Sequence, residues 1–233
     1  DSTAFRPLAY QSQMLQDAGV FAYINGQNPQ AEFAQAQDLL DRAMAKNDRD
    51  AEVLFRAAVL LRRRAFIAVG EGQDPAPLVD RGIEILERLV VDDPTRFFYY
   101  TTWGNLLLDQ AEYGRSQQSD VRRLMQRASD QFNLALEYRP NQNTVLMNLA
   151  VTESMLAEEH VRHDDAAAAA VAFERALKGY DRALVLDPND FDSVKNRATL
   201  ATQYARFLGG QDPRTPDLLE RAYITVASGL PDH

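Results

Sequence analysis

Apolar residues along this chain recur at helical spacing, in segments cut by short polar breaks. In the stretch Ala176–Pro188, Ala176, Tyr180, Ala183 and Leu184 fall at i, i+4, i+7 and i+8, which is one face of an α-helix. Asp187-Pro188 then stops the helix, because proline disfavours helical geometry in the residue before it and donates no backbone bond. The same pattern returns at Ala128, Phe132, Ala135, Leu136 and Pro140. Looser copies run through Gly82, Leu86, Leu89, Val90 and Pro94, and through Ala36, Leu40, Ala43, Met44 and Asp48. A last copy reads Leu219, Tyr223, Val226, Ala227 and Pro231. Taking Asp48, Pro94, Pro140, Pro188 and Pro231 as equivalent gives spacings of 46, 46, 48 and 43 residues, a period found in helical solenoids.

Each period holds two apolar-periodic segments around one polar break, so each predicts a helix pair. The pairs are Pro7–Asn25 with Gln30–Lys46, Asp50–Val69 with Ala76–Val91, Thr95–Tyr113 with Asp120–Tyr138, Asn141–Glu159 with Asp165–Leu186, and Asn189–Leu208 with Pro216–Ser228. The expected organisation is one all-α domain over residues 1–233, an α-solenoid of about five antiparallel pairs in units 5–48, 49–94, 95–140, 141–188 and 189–231, with almost no β-structure. Local signals mark several ends. Asp74 reads as a cap with Pro75 just inside its helix, and Thr215-Pro216-Asp217 as cap, first-turn proline and dipole-matched acid. Gly209 and Gly210 suit a helix C-terminus, and the Ala166–Ala170 run reads as the opening turns of a long helix.

The A-x3-[FY]-x2-A-L-x3-P pattern at Ala128–Pro140 and Ala176–Pro188 resembles the second helix and closing turn of a tetratricopeptide repeat. Trp103-Gly104 with Leu107, and the pair Leu149-Ala150, match positions that this family favours in its first helix. The resemblance covers most of residues 28–231 and is strongest in units three and four. Units of 43 to 48 residues exceed the family's 34, the extra residues lying around the break between paired helices. The resemblance implies a right-handed superhelix whose first helices line a concave groove that holds a peptide or protein segment.

Composition narrows the function. With 45% apolar and 25% charged residues, a folded protein is expected. A net charge of -9 argues against an extended nucleic-acid surface. No stretch approaches the roughly 18 to 20 apolar residues of a membrane span, so no membrane insertion is expected. The chain has no cysteine, which excludes disulfides and thiolate metal sites and leaves the compartment open. The opening DSTAFRPLAY has neither an initiator methionine nor a signal-peptide core. It reads equally as a mature form after leader removal or as a segment of a longer protein.

Chemistry-bearing clusters are few. There is no glycine-rich phosphate loop and no nucleophile elbow, so neither an enzyme nor a cofactor is expected. Glu159, His160, His163, Asp164 and Asp165 have metal-like composition without a second ligand set at matching spacing, and His233 is the last residue. Mapping unit positions turns Asn105, Asn148 and Asn196 toward the groove. Asn148 and Asn196 share one place 48 residues apart, and amides carry both donors and an acceptor for a peptide backbone. The family's carboxylate clamp needs cations around such asparagines. Thr101, Asn105, Asn148, Asp192 and Asn196 supply none, so chaperone-tail binding is not expected. Arg56, Arg62, Arg63 and Arg64 make one helix locally basic, and guanidinium forks suit acidic ligands. Within the aromatic block Phe97–Tyr100 and Trp103, Phe98 is the expected groove-facing anchor.

The expected function is a non-catalytic scaffold that captures a protein or peptide in its groove. The alternative is a structural subunit, packed against copies of itself or within a larger chain or complex. The ending GLPDH adds no polar capping helix, and terminal repeats need a polar outer face.

Overall fold

The computed structural model describes residues 5–229, with side chains through residue 223. Among the described residues the chain is all-α, a helical-repeat solenoid fold of ten helices without strands. They are α1 Arg6–Ile24, α2 Gln30–Met44, α3 Ala51–Gly70, α4 Ala76–Asp92, α5 Phe97–Ser116, α6 Arg122–Tyr138, α7 Asn143–Arg162, α8 Ala166–Leu186, α9 Phe191–Leu208 and α10 Thr215–Gly229. Each of the ten expected segments is a helix, with ends within three residues of the reading above. None of the described helices is long and apolar enough to cross a membrane.

Contacts group the chain into two compact units, the first through Ser119 with α1–α5 and the second from Asp120 with α6–α10. In the first, α1 packs on α2 and α3, and α3 and α4 pack on each other and on α5. Phe33, Ala36, Leu40 and Ala43 of α2 join Val53, Ala57 and Leu60 of α3 in its core. In the second unit each helix packs on the next, α6 through α10. Signature positions fill these cores. Ala128, Phe132 and Ala135 of α6 and Ala176, Tyr180 and Ala183 of α8 are all buried, each large side chain stabilising by about 1.5–3 kcal/mol.

The chain stops each second helix as its prolines demand. Asp93, Arg139 and Asp187 precede Pro94, Pro140 and Pro188, and take φ/ψ of -145°/91°, -140°/80° and -139°/91°. Asp50, Asp165 and Asp190 cap α3, α8 and α9 by accepting from Val53, Ala168 and Ser193 N–H groups. Gly209 closes α9 at φ 79°, a backbone region where glycine alone is unstrained.

Polar pairs link successive first helices at one-repeat separation. Arg6 meets Asp50 at 3.1 Å, Asp17 meets Arg63, and Arg62 Nε lies 3.2 Å from Asp109 Oδ2. In the second unit Gln203 Nε2 donates to Glu158 Oε1 at 3.3 Å. The partners stand 44 to 47 residues apart, so the sequence period sets which side chains meet.

Three local readings are corrected. Pro75 is itself the residue before α4, and Asp74 accepts from Ala76 N–H. α10 starts at Thr215 itself, whose hydroxyl donates to Gly209 O at 2.8 Å. The final signature copy is out of register. Leu219 and Tyr223 are exposed, while Leu218 and Ala222, one position earlier on the helix, are buried. A shift of one residue turns a helix by about 100°, enough to exchange its buried and solvent faces. The side chains of Val226 and Ala227, and Pro231 and His233 altogether, lie outside the described residues.

Candidate functional site

Asn148 and Asn196 sit half-buried on α7 and α9, the first helices of the second compact unit. Between α7, α8 and α9 stands the Tyr180 hydroxyl, hydrogen-bonded to Ser154 and Asn196. Tyr180 is the aromatic of the repeat signature and is 2% exposed. Burial pushes its hydroxyl pKa up, partly offset by those two hydrogen bonds. Ser154 in turn donates to Ala150 O at 2.8 Å. One amide of the asparagine pair is thus oriented by a buried tyrosine. Asn105 lies half-buried on α5 of the first unit.

The arginines of α3 are committed within their own unit. Arg56 holds Glu52 Oε1 through Nη2 at 2.6 Å and lies 5.5 Å from the Tyr10 ring centroid. Arg62 pairs with Asp109 and lies 5.5 Å from the Phe66 ring, and Arg63 pairs with Asp17. A ligand carboxylate reaching these three arginines must displace Glu52, Asp109 or Asp17. Arg64 is exposed and lines a small cavity of about 80 Å³ between α2, α3 and α4.

Phe98 is half-buried in an aromatic cluster. Its ring lies 4.7 Å from Phe55 of α3, 4.9 Å from Tyr99 and 5.6 Å from Phe97. Such pairs are worth about 0.5–1.5 kcal/mol beyond area burial, so the ring is tied to the α3–α5 contact. Trp103 is half-buried on the same helix.

The acidic-histidine cluster is spread over the end of α7 and the turn after it. His160 Nδ1 is 3.5 Å from Asp165 Oδ2, His163 Nε2 is 3.9 Å from Asp120 Oδ1, and Glu159 is buried with Arg162 at 3.1 Å. Among the described residues no group of three or more His, Asp or Glu is placed to hold a metal ion.

Two buried carboxyls escaped the sequence reading. Asp109, 4% exposed, is pushed up to about 7 by burial, against the pull of Arg62. Glu153, 2% exposed on α7, accepts from Ser129 Oγ, and its pKa is raised by burial. Helical carboxylates read as surface residues by default. For Asp109 one signal existed, since it stands one repeat length from Arg62.

Neither a family model nor a curated protein sequence matches this chain. Solved structures are similar in fold. The crystal structure of MamA aligns with 13% identity over 85% of this chain and 91% of its own, at a TM-score of 0.53. A thermophilic TPR protein of Thermus thermophilus aligns with 18% identity over 93% of this chain and 99% of its own, at 0.51. A double mutant of MamA RS-1 gives 11% identity, 95% and 98% coverage, and 0.52. These likenesses, spanning nearly whole chains, agree with the signature at Ala128–Pro140 and Ala176–Pro188: the chain has a tetratricopeptide-repeat-like fold built from elongated units.

Proposed function

We propose that this chain is a non-catalytic interaction scaffold that holds a peptide or protein segment in the groove its first helices line. The observation that carries the reading is the repeat register of Asn148 and Asn196, with the Asn196 amide oriented by Tyr180. An oriented amide offers both donor and acceptor to an extended backbone at little entropic cost. The arginines of α3 enter this reading only through exchange of their internal carboxylates for those of a ligand, and Phe98 enters it as an aromatic anchor facing the groove.

The test compares cross-linked partners recovered from native lysate by the wild type and by an Asn148→Ala/Asn196→Ala variant. Loss of specific partners in the variant supports the reading; equal recovery of the same partners removes the asparagine face from it.

One observation favours a second reading, a subunit packed into an assembly. Tyr10, Met14, Phe21 and Ile24 lie exposed on one side of α1, two on each side of Asp17, with exposures of 52%, 72%, 70% and 70%. Large apolar side chains exposed together mark interaction sites. Light scattering across a concentration series separates the two, because a monomer at high concentration excludes self-assembly through this side of α1.

A further inference from the structure

The second compact unit carries a polar cleft of about 380 Å³ between α6, α7 and α8. It lies on another side of α7 from Asn148. Glu153 on its floor is five residues further along, about 140° round the helix. The α8 wall presents Arg175, Lys178 and Arg182 at i, i+3 and i+7, one face of that helix. All three are exposed; Arg175 attracts the buried Glu153 carboxyl, and neither it nor Lys178 makes a direct ion pair among the described residues. Arg182 donates one hydrogen bond to Pro140 O at 3.1 Å and keeps its other donors. On the facing α6 wall the one carboxylate, Asp130, is engaged by Gln126 Nε2 at 3.0 Å.

Glu153 gives the floor its chemistry. One oxygen accepts from Ser129 Oγ; the other, Oε2, is buried and has no hydrogen-bond partner. Leaving a buried acceptor unmet costs about 1–3 kcal/mol, so a donor arriving there is strongly favoured. Burial raises the Glu153 pKa, opposed by the Ser129 hydrogen bond and by the attraction of Arg175.

The neighbouring cleft shows that this arrangement is specific. Between α8, α9 and α10 a cavity of about 260 Å³ shares Lys178 with this one, yet its arginines are paired internally. Arg197 pairs with Asp181, Arg214 with Glu174 and Asp212, and Arg221 with Asp217. Of the two, the α6–α8 cleft adds the exposed Arg175 beside an unmet buried acceptor, in a chain whose net charge is -9.

We propose that the α6–α8 cleft is a binding site distinct from the asparagine face, and that it takes an acidic peptide segment. The carboxylates of the segment pair with Arg175, Lys178 and Arg182, and one of its backbone N–H groups donates to Glu153 Oε2.

The test is fluorescence anisotropy with a short labelled peptide of alternating Glu and Ala, beside matched Gln and Lys peptides, at low and physiological salt. The Glu peptide binds, and Arg175→Gln/Lys178→Gln weakens it by about tenfold or more. Arg123→Gln/Arg127→Gln removes the same charge from exposed α6 positions outside the cleft and leaves affinity within about twofold. Glu153→Met, similar in volume but without the acceptor, weakens the Glu peptide several-fold. Asn148→Ala/Asn196→Ala leaves it unchanged, so loss of the asparagine face and loss of this cleft are told apart. No binding of the Glu peptide, stronger binding of the Lys peptide, or equal losses in the two charge-neutralised variants overturns the proposal.

Discussion

Replacing Asp109 by Asn isolates the buried ion pair between α3 and α5. The carboxyl is 4% exposed, and Arg62 Nε lies 3.2 Å from Oδ2. Lost hydration outweighs the attraction of Arg62, with nearby Glu112 adding to the rise, and the group moves from 3.8 to about 7. In the unfolded chain it titrates near its ordinary value. Between those two values the folded protein keeps a proton that the unfolded chain has lost, so raising the pH through this window favours unfolding. Below the window both states are protonated, and above it both are ionised, so the effect levels off on either side. About three pH units at about 1.4 kcal/mol each amount to roughly 4 kcal/mol lost across the window.

Asparagine does not titrate. The unfolding free energy of Asp109→Asn relative to wild type therefore rises by roughly 4 kcal/mol between about pH 4 and about pH 8. Urea titrations at half-unit pH steps measure it, followed by fluorescence of Trp103, the single tryptophan, which lies on α5 with Asp109. Subtracting the two curves cancels the titration of groups not coupled to Asp109. A flat difference curve refutes the reasoning, as does one with the opposite slope, which means that Arg62 holds the carboxylate ionised.

Gly179→Ala places a Cβ 2.9 Å from Ala150 Cβ and 3.3 Å from its Cα, and should cost about 1–3 kcal/mol in a thermal melt, because backbone cannot yield. At Gly82 the nearest atom is a side-chain end, Leu106 Cδ1 at 2.7 Å, so Gly82→Ala should cost less than Gly179→Ala, the helix-propensity gain of up to about 1 kcal/mol offsetting part of the crowding. Asp50→Ala removes the α3 cap and the Arg6 partner and should cost about 1–2 kcal/mol in urea titration, whereas Asp50→Asn keeps the cap and costs clearly less. Tyr180→Phe should cost about 1 kcal/mol of stability in urea denaturation of the whole chain, by removing the hydroxyl that meets Ser154 and Asn196.

Helix positions were legible because their causes are local. Each Asp-Pro or Arg-Pro step fixes its own backbone, and the 3.6-residue period marks the buried face over several turns. The reading faltered where one residue carried the register. Leu219 and Tyr223 imitate the signature, yet α10 buries Leu218 and Ala222, and a two-residue match holds too little pattern to separate faces about 100° apart. The arginines of α3 were visible as a cluster, but their partners Asp17 and Asp109 lie about one repeat away on other helices. Glu153 looked like any helical carboxylate until α6 and α8 covered it.

The sequence by itself determined the helices, their order and the period at which polar partners recur, since these follow from short-range geometry and a repeating apolar face. Tertiary structure alone decided which charges are spent internally and which are left over. Hydration and pairing depend on what neighbouring helices bring within a few ångströms: packing pushes Asp109 up, orients Asn196 through Tyr180, and sets the exposed Arg175 and Lys178 on the wall of a cleft that also holds the buried Glu153.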